Sequence, residues 1–211
     1  MRIAIRTDAS ARIGSGHLMR CLTLADALAS LNSEVAFICR AAPDNLSGLV
    51  RARGHRLEEI AIPAGDPDLD AAASTAVLAR LGGVDWLIVD HYGLDASWSR
   101  ALRADVGKIL AIDDIGDRAI TCDILVDQNL SAEPDAKYAG RVANDTVRLI
   151  GPRFAMLRPQ FAAARKVLRP RDGVVRRILI LYGGSDPGND TAKALDALEL
   201  LQLADIDIDV V

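Results

Sequence analysis

Between a short apolar run and a long helical repeat lies Ile13-Gly14-Ser15-Gly16-His17. Glycines such as Gly14 and Gly16 let backbone amides approach a ligand, and a helix start favours anions such as phosphate. His17 is expected at the mouth of the crevice that the carboxyl ends of parallel strands form. The positive end of a helix disfavours imidazolium, so a neutral ring able to act as a general base is expected. The plainer reading is a histidine packed and hydrogen-bonded against the helix start. Arg20, one turn on, either contacts an anion or solvates the helix.

Three further groups carry polar side chains after apolar runs. Asp90-His91-Tyr92-Gly93-Leu94-Asp95 offers a carboxylate and a phenol suited to the hydroxyls or amides of a sugar. It also reads as a turn with Asp95 as a helix N-cap. Asp113-Asp114 with Asp117-Arg118 lacks a spaced histidine or third carboxylate, so a salt bridge or loop cap is expected there rather than a metal. Asp123 and Asp127-Gln128-Asn129 resemble turn chemistry as much as a site. Tyr182-Gly183-Gly184-Ser185-Asp186-Pro187-Gly188-Asn189 repeats the logic of the first glycine loop. Two such loops would grip a diphosphate and a sugar between two domains. The competing reading is a tight turn capped by Ser185, Asp186 or Asn189.

Known nucleotide signatures are incomplete. A dinucleotide fingerprint needs a third glycine where Met19 stands, and an acid after the second strand, where Cys39-Arg40 stands. No Gly-Lys-Ser or Gly-Lys-Thr occurs. Neither NAD nor ATP is expected, and no cofactor is implied.

Elements alternate in a way that would position these groups. Strands are predicted over Arg2–Thr7, Glu34–Cys39, Arg56–Ile62, Trp86–Val89, Lys108–Ile112, Ile124–Val126 and Val147–Ile150. Helices are predicted over Leu18–Leu31, from Pro43-Asp44 to Gly54, over Asp70–Leu81 and over Asp95–Ala104. Such alternation argues for a parallel sheet covered on both faces. Pro152, Pro159 and Pro170 punctuate a basic stretch with a connecting helix near Phe161–Val167, either a hinge or a solvated surface helix. The pattern restarts with a strand over Ile178–Tyr182, a helix over Asn189–Leu203 and a strand over Ile206–Val211. The expected organisation is a domain over 1–168, a linker over 169–176 and the incomplete start of a second domain over 177–211.

Composition bounds the class. The 211 residues are 50% hydrophobic and 26% charged, enough for a sizeable core and against disorder. The net charge of −4 offers no basic field for nucleic acid. No stretch is long and apolar enough for a membrane helix, and the charged N-terminus does not read as a signal peptide. Cys21, Cys39 and Cys122 form no CxxC pair, consistent with a reduced, cytoplasmic protein.

Arg6-Thr7-Asp8, Ile13 through Leu22 and Leu24-Ala25 together resemble the opening signature of the PseG/SpsG family of nucleotide-sugar hydrolases. Val89 through Gly93, Ile112-Asp113-Asp114, Cys122 through Asn129, Gly151 through Arg158 and Gly183 through Asp186 fit the same family in order. The resemblance implies a GT-B-like α/β fold. A Rossmann-like parallel-sheet N-terminal domain would be followed by the start of a second Rossmann-like domain. It implies hydrolysis of UDP-2,4-diacetamido-2,4,6-trideoxy-β-L-altropyranose by water attack at the anomeric carbon, with no metal required. The setting would be pseudaminic acid or spore-coat polysaccharide synthesis. His17 would orient or deprotonate the water. Asp8, Asp90 and Tyr92 would shape the sugar side, and Gly184, Ser185 and Asn189 would approach the diphosphate. Much of the uridine pocket is expected beyond residue 211. A MurG-like glycosyltransferase and a non-catalytic nucleotide-sugar-binding module are the alternatives.

Overall fold

The computed structural model describes residues 1–9, 15–42, 46–168, 170–183, 186–203 and 205–211. It divides into two units, Met1–Arg158 and Pro159–Val211. The helix near Phe161, expected to close the first domain, groups with the second unit.

The first unit runs β1 (Arg2–Thr7), α1 (Gly16–Ser30), β2 (Glu34–Arg40), α2 (Gly48–Ala52), β3 (Arg56–Ile60), α3 (Pro67–Arg80) and β4 (Val84–Asp90). It continues through α4 (Ala96–Ala101), β5 (Val106–Ile112), β6 (Ile124–Asp127), α5 (Pro134–Lys137) and β7 (Val147–Ile150). All seven strands pair in parallel, in the order β3-β2-β1-β4-β5-β6-β7. The elements agree with the predicted alternation. The short α5 lies outside it, because four residues carry no helical period. The Pro43-Asp44 helix start lies outside the described residues.

Side chains alternate across a strand, so each central strand feeds two cores. On one face Ile3 and Ile5 of β1, Phe37 of β2 and Ile88 of β4 pack with Leu18, Cys21, Leu22 and Ala25 of α1. Those α1 positions follow the spacing of one helical face. On the other face Ala4, Ile38, Leu87, Val89 and Ile109 pack with Val77 and Leu78 of α3 and Trp98 of α4. Burying each large side chain contributes about 1.5–3 kcal/mol.

Helix starts follow their caps. Asp66 accepts from the amides of Asp68 (3.1 Å) and Leu69 (3.0 Å), and Pro67 pre-sets the first turn. The cap draws the start of α3 three residues ahead of the predicted Asp70. Asp95 caps α4, accepting from Ser97 at 2.8 Å.

The second unit contains α6 (Pro159–Lys166), β8 (Arg177–Ile180), α7 (Asp190–Leu200) and β9 (Asp207–Val210). β8 and β9 pair in parallel from Arg177–Asp207 to Ile180–Val210. Ile180 is buried, whereas Leu179 is 61% and Val210 49% exposed.

Candidate active site

β1 joins β2 on one side and β4 on the other, while the chain runs outward from both. That is a topological switch point, and ligands of open α/β sheets bind at the carboxyl ends of such strands. Here those ends bring Thr7 of β1 beside Asp90 of β4.

Strand alternation sorts the polar residues. Asp90 follows Ile88 by two and faces α1. Asp114 likewise follows Ile112, which belongs to the α1 core. There His17 Nδ1 lies 2.6 Å from Asp90 Oδ1. Arg20 donates from Nε to Asp90 Oδ2 and from Nη2 to Oδ1, both at 2.6 Å. Its Nη1 donates to Asp114 Oδ2 at 3.1 Å. Tyr92 donates its hydroxyl to Asp114 Oδ1 at 2.6 Å and meets the His17 ring edge-on, with centroids 4.6 Å apart. Asp90 is wholly buried, while Tyr92 is 41% exposed.

The charge states follow. Burial alone would raise Asp90, but hydrogen bonds from Arg20 and His17 overcome it and hold the carboxyl below its usual range. Asp114 is lowered in the same way, against burial, by Tyr92 and Arg20. Burial and Asp114 push the Tyr92 phenol up to about 12, so it stays a donor. An ionised Asp90 requires His17 Nδ1 to carry the proton of their hydrogen bond. The Nε2 lone pair is then left for chemistry.

A second cluster occupies the opposite face. Arg6 is fully buried and donates to Asp8 at 2.5 Å and to Asp70 at 2.5 Å. Asp70 also accepts from Trp98 Nε1 at 2.9 Å. Asp8 accepts from the Arg40 amide at 2.7 Å. The Gly93 amide donates to His91 Nδ1 at 3.0 Å, which leaves His91 Nε2 to carry its proton, 3.4 Å from Asp8. Burial opposes ionisation of Asp8, but His91 and Arg6 hold it well below the carboxylate range. Asp8, expected to shape the sugar side together with Asp90 and Tyr92, stands across the sheet from both, against a cavity of about 200 Å³ lined also by Arg40, Gly65 and His91.

The remaining predicted residues divide. Arg20, expected as an anion contact or a solvated side chain, has its guanidinium nitrogens engaged by two carboxylates. Gly16 opens α1, and among the described residues no atom beyond its chain neighbours and its own helix backbone lies within 4 Å of where a Cβ would stand. Asn189 precedes α7 in a left-handed conformation, and its side chain caps nothing. The first amides of α7, those of Asp190 and Thr191, donate to Asp186 at 2.9 and 2.8 Å, so the turn reading holds at that end. Gly14, Gly184 and Ser185 lie outside the described residues. Asp113 pairs with Arg118 at 2.7 Å and accepts from the Gly116 amide, whereas Asp127 takes Lys137 at 2.7 Å. Among the described residues no three His, Cys, Asp or Glu side chains group to hold a metal, and no helix is long and apolar enough to cross a membrane.

No protein-family model matches the chain. It is 28% identical over its whole length to an uncharacterized protein of Methanocaldococcus jannaschii, of which it covers 42%. It is 28% identical over 97% of its length to the UDP-2,4-diacetamido-2,4,6-trideoxy-beta-L-altropyranose hydrolase of Campylobacter jejuni, of which it covers 69%. The chain thus spans between about two fifths and two thirds of these relatives. Among solved structures, MurG of Acinetobacter baumannii superposes with a TM-score of 0.58 at 14% identity, over 100% of this chain and 65% of that one. A glycosyltransferase of Rickettsia africae superposes with a TM-score of 0.59 at 13% identity, over 99% and 68%. At these identities the likeness shows the fold alone: a Rossmann-like parallel-sheet α/β fold of the kind found in GT-B glycosyltransferases.

Proposed function

We propose that this chain carries the general base of a nucleotide-sugar hydrolase. The substrate is a UDP-linked 2,4-diacetamido-2,4,6-trideoxyhexose, and the products are UDP and the free sugar. One observation carries the reading: His17, at the switch point, is held through Nδ1 by a buried, ionised Asp90. Support comes from the 28% identity to the Campylobacter hydrolase over 97% of the chain.

In the proposed step a water oxygen bonds to the anomeric carbon while His17 Nε2 takes its proton. The bond from that carbon to the diphosphate oxygen breaks, and its electron pair leaves with UDP. Asp90 keeps the imidazole in the productive tautomer and stabilises the imidazolium as it forms. Tyr92, exposed beside His17, is assigned to the sugar. Gly16 admits the diphosphate close to the backbone at the start of α1, and Gly14 is assigned the same role on its sequence pattern alone. For the second unit taken by itself, Gly184, Ser185 and Asn189 are assigned to phosphate contact on their sequence pattern alone. Asp8 is assigned to holding Arg6 and His91, which frame the neighbouring cavity.

The test is UDP release by the full-length protein from a panel of UDP-sugars, with products read by mass spectrometry. His17→Gln should lower kcat by about 10²–10⁴-fold with the thermal midpoint unchanged. Unchanged turnover in that variant removes His17 from the mechanism. Donor loss only on adding a sugar acceptor would make the protein a transferase, and tight UDP binding without turnover would make it a binding module.

A further inference from the structure

We propose that Arg20 is a positioning residue that sets the basicity of His17. A histidine hydrogen-bonded to a buried carboxylate becomes more basic, and a base already protonated at working pH is idle. His17 and Arg20 lie three apart on α1, so they share a face. Arg20 takes both oxygens of Asp90 at 2.6 Å, sharing the charge that would otherwise serve the imidazole alone. Its Nη2 stands 3.1 Å from His17 Nδ1, so an imidazolium would form against a guanidinium that never loses its charge. The Arg20 side chain is 10% exposed, which leaves little solvent to screen the pair.

The ionisable groups around His17 among the described residues are Arg20 from its own helix, Asp90 at the end of β4, Tyr92 just after it, Asp114 after β5, and the Cys21 thiol, kept neutral by burial, which donates to Asp90 Oδ2 at 3.5 Å. Tyr92 is neutral. With Arg20 present, the two carboxylates and the guanidinium leave one net negative charge beside the imidazole. Without it they leave two. Arg20 therefore lowers His17 basicity and keeps Nε2 available, while its own nitrogens are committed to Asp90 and Asp114 rather than to substrate.

The consequence for turnover rests on His17 being the base, but the titration of His17 does not. The experiment follows the His17 ring by NMR across pH in the full-length protein, its signal assigned by loss in His17→Gln. Arg20→Gln should raise the titration midpoint by about one pH unit or more, and Arg20→Lys should hold it near wild type. Asp114→Asn removes a negative charge and leaves Arg20 wholly to Asp90, so it should lower the midpoint and gives a second test if Arg20→Gln does not fold. An unmoved midpoint in folded Arg20→Gln, or an unmoved or raised one in Asp114→Asn, overturns the proposal. In an active enzyme, the acid limb of kcat/KM should move up with the midpoint in Arg20→Gln. A moved midpoint in a protein that releases no UDP would instead remove the hydrolase reading and leave the Arg20 assignment standing.

Discussion

Among the described residues no neighbouring atom stands within 4 Å of where a Gly16 Cβ would lie, and its backbone is not left-handed. Gly16→Ala should therefore leave the thermal midpoint unchanged or slightly raised, since alanine restricts the unfolded chain. It should also weaken UDP binding by about tenfold, or ~1.4 kcal/mol, in calorimetry on the full-length protein. Unaltered affinity would move the diphosphate away from the start of α1. The positions of His17 at a helix start and Asp90 at a strand end are legible in the sequence, because both are local patterns. The salt bridge or loop cap expected at Asp113-Asp114 is found in both residues, but with different partners: Asp113 takes Arg118 and Asp114 takes Arg20. Parity separates the two: Asp114 shares the face of Ile112, and the same count sends Asp8 with Ala4 and Arg6 away from Asp90. Nothing local shows that Arg20 would be spent on carboxylates, because its partners lie 70 and 94 residues away.

β4 and β5 set the geometry of the α1 face, since one ends in Asp90 and the other leads to Asp114. Their close approach depends on Gly107, where an added Cβ would lie 2.6 Å from the Asp85 carbonyl oxygen. That oxygen belongs to strand backbone and cannot swing aside. Gly107→Ala should destabilise the protein by about 1–3 kcal/mol, read as a lowered urea midpoint. An unchanged midpoint would mean that the strands part without cost. Strands and long helices were readable because apolar alternation and helical spacing each persist over several residues. The ends were less so. α3 starts where Asp66 and Pro67 cap it, and α4 gives way after Ala101 to a turn of 3₁₀ helix over Arg103–Asp105. At the start of α7 the Asp186 carboxylate takes the opening amides, as a capped turn requires.

For the molecule as a whole, two buried charge clusters on opposite faces of one sheet make acid the sensitive direction. Asp8, Asp90 and Asp114 all ionise more readily when folded, despite burial. The stability they add is complete above the ordinary carboxylate range and is lost as pH falls through it toward their folded values. The urea midpoint should be level between pH 7 and about 5 and fall steeply below about pH 4. A midpoint that held steady to pH 3 would contradict these ionised pairs. The chain spans 42% of one relative and 69% of another. The most direct measurement is turnover of the UDP-sugar in ¹⁸O-labelled water, followed by mass spectrometry of the UDP released. Attack by water at the anomeric carbon predicts UDP without label. Label in the UDP would place the attack at phosphorus and contradict the account of His17.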